Sequence, residues 1–121
     1  MDKAQALHGF FSSFGWTAYD ENTVPDDAGT QYITYEVVEG NIGKQFLLSA
    51  SLWDRSTSWA AVVQKAHQIA ESLNYGGSTI KFDGGVLFIT QGTPFIQRMA
   101  GEDDLTRRIL LNLTVEYFSA A

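Results

Sequence analysis

Hydrophobic residues recur along this chain in two periods, and the alternation between them lays out the elements. Near the N-terminus Ala4, Leu7, Phe10, Phe11 and Phe14 fall within one helical stripe about 120° wide, closed by Gly15. That spacing predicts an amphipathic helix. Residues 20–30, DENTVPDDAGT, are acidic and rich in turn formers, which predicts an exposed connection too short to be a domain linker. From Tyr32 to Val38 the residues Ile33, Tyr35 and Val37 alternate with Thr34 and Glu36. From Gln45 to Trp53 the residues Phe46, Leu48, Ala50 and Leu52 alternate with Ser49 and Ser51. Period two marks half-buried strands, and the glycine-bearing EGNIGK between them predicts an antiparallel hairpin.

The helical period then returns. Trp59, Val62, Val63, Ala66, Ile69, Ala70 and Leu73 share one stripe opposite Gln64, Lys65, Gln68, Glu71 and Ser72, and the helix they predict ends at Asn74, Gly76 and Gly77. TIKF, DGG and VLFIT predict a second hairpin, with Asp83-Gly84 as its turn. QGTPF and the polar stretch QRMAGEDDLTRR follow. A last strand over 109–118 places Ile109, Leu111, Leu113, Val115 and Tyr117 on one face. The predicted order is α-β-β-α-β-β-β: an α+β fold, a mostly antiparallel sheet with two helices packed on one face. A chain of 121 residues, 45% hydrophobic and 18% charged, is expected to form a single domain over residues 1–121.

Charge and composition narrow the function. A net charge of −6 argues against a nonspecific grip on DNA phosphates, and the absence of cysteine removes disulfides, thiolate nucleophiles and cysteine zinc sites. The N-terminal MDKAQALHGFFSSFG lacks the apolar run and cleavage site of a secretory signal, and no stretch approaches the roughly 20 apolar residues of a membrane span. A soluble protein without cofactor or metal is expected.

No catalytic constellation stands out. His8 and His67 sit at the borders of apolar stripes without HxxxH or HExxH spacing, which fits ordinary boundary histidines. Gly76-Gly77 and Gly84-Gly85 lack the extensions of phosphate-binding loops and read as turns, and the string GTPF around Pro94 reads as a cis or bulged turn. Glu102, Asp103 and Asp104 offer carboxylates to a hard cation, but without EF-hand spacing. With Arg98, Arg107 and Arg108 as neighbours they also fit a solvated charged loop or the rim of a protein interface. In SLWDRSTSWAAVV, residues 51–63, Asp54, Ser56 or Ser58 can cap the second helix. Arg55 then stands near the positive end of that helix and needs an anion. Asp54, the 102–104 cluster or a neighbouring subunit can supply it.

The phrases VPDDAGTQYITYEV, LLSASLWDRSTSWAAVVQKAHQIAESL and FDGGVLFITQGTPFIQRMAGEDDLTRRILLNLTVEYF, in this order, resemble the small tail-terminator or tail-completion (neck) proteins of long-tailed bacteriophages. That resemblance covers nearly the whole chain. It implies an α+β structural protein of the virion, made in the host bacterial cytoplasm and assembled as a hexameric ring at the head-proximal end of the tail. There it stops tail-tube growth and mediates head-tail joining. Its implied partners are further copies of itself, the tail tube protein and head-tail connector proteins, with DNA passing through the lumen without specific recognition. The net −6 would favour such sliding. No covalent chemistry and no membrane are implied. The expected interface residues are Asp54, Arg55, Arg98, Glu102, Asp103, Asp104, Arg107 and Arg108, chosen as exposed polar positions suited to a heterologous contact. The alternative is a small ligand-binding or regulatory α+β module, monomeric or dimeric. It would use an open sheet face bearing Leu47, Trp53, Leu87, Ile89 and Phe118.

Overall fold

Two helices and six strands follow one another as α1 (Lys3–Ser12), β1 (Thr17–Asp20), β2 (Gln31–Tyr35), β3 (Gln45–Asp54), α2 (Ala60–Ser72), β4 (Ser78–Phe82), β5 (Gly85–Met99) and β6 (Arg107–Ser119). The computed structural model describes residues 2–36, 45–74, 76–99 and 104–119. The expected EGNIGK loop, with Glu102 and Asp103, lies outside the described residues. The strands form one sheet in the order β1-β2-β3-β6-β5-β4, antiparallel at every pairing except the parallel β1–β2 edge.

The α+β class stands; the element order needs correcting. TAYD, residues 17–20, forms a strand before β2, so the order is α-β-β-β-α-β-β-β. Four residues are too few to show a period, and pairing in parallel with β2 leaves no hairpin turn to announce them. QGTPF and the first part of the polar stretch also belong to a strand. β5 runs on to Met99, with a register irregularity between Gln91 and Ile96 and a cis Thr93–Pro94 bond inside it.

Periodicity becomes packing on one face. Leu48, Ala50 and Leu52 of β3, Ile109, Leu111, Leu113 and Val115 of β6, and Leu87 and Ile89 of β5 are buried together. Leu7 and Phe11 of α1, and Val62, Ala66 and Ile69 of α2 with Leu73 just beyond it, join the same cluster. Each such aliphatic or aromatic burial contributes about 1.5–3 kcal/mol. α1 starts at a capping box: the Asp2 carboxylate accepts from the Gln5 amide at 2.8 Å and the Gln5 side chain accepts from the Asp2 amide at 2.9 Å. Ala4, expected on its apolar stripe, is exposed, and Ala6 is buried instead. Leu87 and Ile89 are the second correction. They were expected on the open face, but pairing with Tyr117 and Val115 turns them into the core.

Gly92 is required by a close approach. A Cβ there would lie 2.7 Å from the backbone carbonyl oxygen of Asn112, whose side-chain Nδ2 also donates to Pro94 O at 2.8 Å. Gly92→Ala should therefore lower stability by about 1–3 kcal/mol through overpacking, measured as a shift of the urea midpoint with unchanged far-ultraviolet circular dichroism.

Tyr35 ties α1 to the sheet. It is 4% exposed, stacks on Phe11 at 5.0 Å, and its hydroxyl is 3.2 Å from His8 Nδ1. Burial, and after it the negative charge of Asp20, holds the phenol above its ordinary value of 10.0. The unfolded chain releases this proton first. Stability is thus fully present below about pH 10 and is lost as the pH rises toward the folded-state value. Tyr35→Phe should cost about 1 kcal/mol at neutral pH for the lost hydrogen bond, while flattening the loss of stability seen above about pH 10. Thermal melts followed across that pH range check both effects.

Candidate functional site: an arginine corner at one end of the sheet

The chain has four arginines, and the sheet brings all of them to one end. Cross-strand register does this. Gln31, Asp54 and Arg107 form one row, Tyr32, Trp53, Arg108 and Met99 the next, and Ile33, Leu52, Ile109 and Arg98 the third. Arg55 directly follows β3, its amide donating to Thr30 O at 2.9 Å and extending the β2–β3 ladder.

Two tryptophans organise the guanidinium groups on opposite faces. On the helix-free face, Arg108 lies 4.7 Å from the centre of the Trp53 ring and donates from Nε and Nη2 to Ser51 Oγ at 3.1 and 3.0 Å. Trp53 itself stacks on Tyr32 and donates from Nε1 to Thr34 Oγ1 at 2.9 Å, and Tyr32 meets Tyr19 edge-on. On the helix side, Arg98 and Arg107 stand 4.9 and 5.4 Å from the centre of a single indole, Trp59. The ring quadrupole attracts each cation, but it does not neutralise two. Arg107 donates from Nη2 to Thr57 O at 3.0 Å, while its Nε is buried with no acceptor.

Of the carboxylates predicted as partners, Asp54 and Asp104 lie among the described residues, and neither pairs with an arginine there. Asp54 is not a helix cap; it is the last residue of β3, 4% exposed, and has no side-chain hydrogen bond or ion pair among the described residues. The helix start is arranged by Ser58 Oγ, which accepts from the Ala60 amide at 3.1 Å, and by Ser56 Oγ, which accepts from the Ser58 amide at 2.9 Å. Trp59, expected within the helix, is its N-cap residue. Arg55 is exposed, and its side chain likewise has no partner among the described residues. Asp104 is exposed in the turn before β6.

A cavity of about 330 Å³ opens beside the corner, between the 24–30 connection and the sheet end, lined by Val24, Pro25, Tyr32, Trp53, Asp54 and Arg55 among others. Among the described residues no group of three or more His, Cys, Asp or Glu could hold a metal ion. His8 contacts Tyr35 and Ser12, and His67 is an exposed residue of α2. No helix of the described chain is long and apolar enough to cross a membrane.

Charge type alone pointed to Asp54, Arg55, Arg98, Asp104, Arg107 and Arg108. Sequence pattern puts Trp53 on an open face and Trp59 in the helical stripe, and marks neither of them nor Ser51 as a partner of arginines, because that depends on β3–β6 register for Trp53 and Ser51 and on the start of α2 for Trp59. Comparison with protein-family models, with curated proteins and with solved structures gave no match.

The arginines differ in how firmly the fold holds them. Arg55→Glu should change unfolding free energy by less than about 0.5 kcal/mol. Arg108→Glu should cost about 2 kcal/mol or more, because it removes two hydrogen bonds and the ring contact and leaves Ser51 beside a carboxylate. Urea unfolding of the two variants side by side measures the difference.

Proposed function

We propose that this chain is a structural protein of long-tailed bacteriophages that forms a ring at the head-proximal end of the tail, ends tail-tube growth and joins tail to head. Its likeness in sequence to tail-terminator and tail-completion proteins supplies the class. The observation that carries an assembly role is the arginine corner, where every arginine of an acidic chain gathers and none has a carboxylate partner among the described residues. Arginine and aromatic residues are enriched in protein interfaces, and Trp, Tyr and Arg are the residues most often found to dominate their binding energy. The open face adds apolar contact area through Leu47 at 72% and Phe118 at 42% exposure. In this reading the partners are further copies, six in the ring, with the tail tube below and connector proteins above. DNA passes through the lumen unread, no covalent chemistry occurs, and the protein resides in the virion.

The aromatic-lined cavity beside Arg55 favours a second reading, a small ligand-binding or regulatory module. Burial of Leu87 and Ile89 leaves that reading fewer open-face residues than the sequence promised.

Purified protein mixed with tail tubes that lack their terminator separates the two. Rings capping tube ends in electron micrographs, with hexamer-sized particles by mass photometry, are the expected result. Arg55→Glu should keep its thermal transition and lose the capping. A monomer or dimer that leaves the tubes uncapped at any concentration would overturn the ring.

A further inference from the structure

We infer that the occupant of the arginine corner is the acidic 20–27 connection of the next copy in the ring, an inference that rests on the assembly reading above. That connection carries Glu21, Asp26 and Asp27, all exposed and without a side-chain partner among the described residues. Asp20 is different. Its carboxylate accepts from the Asn22 amide at 3.0 Å and from the Asn22 side chain at 3.3 Å, so it shapes the turn and leaves the other carboxylates outward.

Sheet order separates the start of the acidic connection from Arg98. β1, from which the acidic connection leaves, is an edge strand, and β5, which carries Arg98, is four strands away. At about 4.8 Å per strand that is roughly 19 Å, beyond the reach of a direct pair between Glu21 and Arg98 within one copy. Asp26 and Arg55 line one cavity in the same copy yet form no ion pair. Glu21 at the β1 edge and Arg98 four strands away put complementary charges on opposite lateral sides, which a heterologous ring contact needs, with Asp26 and Arg55 between them. The chemistry matches too. Guanidinium groups donate to carboxylates in forked pairs, and the exposed Arg55 and Arg98 present such donors to an incoming chain.

Two neutralising variants of the full chain test this. One combines Glu21→Gln, Asp26→Asn and Asp27→Asn; the other combines Arg55→Gln and Arg98→Gln, both at exposed positions. Each alone should self-associate at least tenfold more weakly than wild type while retaining its thermal transition. Mixed one to one they should give a heterodimer by native mass spectrometry, because an intact acidic connection on one copy meets an intact corner on the other. A second measurement does not depend on those variants folding. Arg98→Lys, mixed as light and ¹⁵N-labelled copies and treated with a zero-length carbodiimide, should cross-link residue 98 to residues 21–27 between copies.

If the acidic variant assembles as well as wild type, or the cross-links fall elsewhere, the acidic connection is not the occupant while the ring stands. Tight binding of a DNA duplex that is lost with Arg55→Gln and Arg98→Gln would make the corner a phosphate site and overturn the inference. Wild-type protein that stays monomeric with tail tubes present would overturn the ring itself and the inference with it.

Discussion

The pairing of β3 with β6 decides where everything else in this molecule sits. Ten consecutive residues, Gln45 to Asp54, match Glu116 to Arg107 without interruption, across more than fifty residues of intervening chain. Because side chains alternate strictly along a strand, this single register sends Leu48, Ala50, Leu52, Ile109, Leu111, Leu113 and Val115 to one face together. A slip of one residue would expose that entire set. The same register places Trp53 beside Arg108 and Asp54 opposite Arg107. Core and arginine corner are therefore two consequences of one alignment, and the strong hydrophobic requirement of the first holds the second in place.

Electrostatics at the corner runs against the composition of the chain. With 14 acidic and 8 basic residues, an arginine placed at random would meet a carboxylate more readily than another cation. Instead Arg98 and Arg107 share one indole. Two lysines also lie over aromatic rings, Lys3 over Tyr117 and Lys65 over Trp16. Lys65 donates to the Phe14 carbonyl at 2.6 Å and to Gln68 at 2.8 Å, and both lysines brace helices against the rest of the fold. Arginine's planar, weakly hydrated guanidinium tolerates stacking on a ring while keeping donors free for a further acceptor.

Legibility in the sequence followed how strongly each segment's period was enforced. Phe46 to Leu52 and Ile109 to Tyr117 alternate apart from Leu47 and Leu110, because one face is core and the other open, and their strands and faces were readable. VLFIT has apolar residues at Val86, Leu87, Phe88 and Ile89 in succession, so alternation carried no information about which pair faced inward; the β6 partner strand made that choice. TAYD failed for shortness; in QGTPF the expected cis bond and irregular geometry are present, but inside β5 and not in a turn. In the candidate site, residue type exposed the charged members. Their convergence, and the aromatic seats beneath them, depend on contacts between segments far apart in sequence.

The four arginines form a graded series from structural to available. Arg108 is fastened by two hydrogen bonds to Ser51 and by Trp53, Arg107 by one hydrogen bond and Trp59. Arg98 is held by a ring alone, and Arg55 has no side-chain partner among the described residues. Fixing a long side chain costs conformational entropy of about 1.5–2 kcal/mol. A partner meeting Arg107 and Arg108 finds that cost already met within the fold, and a partner meeting Arg55 must supply it. The inner pair can thus set the orientation of a docked chain, while the outer pair responds to charge and salt. In the proposed ring this division would let one small corner provide both register and attraction without a deep pocket.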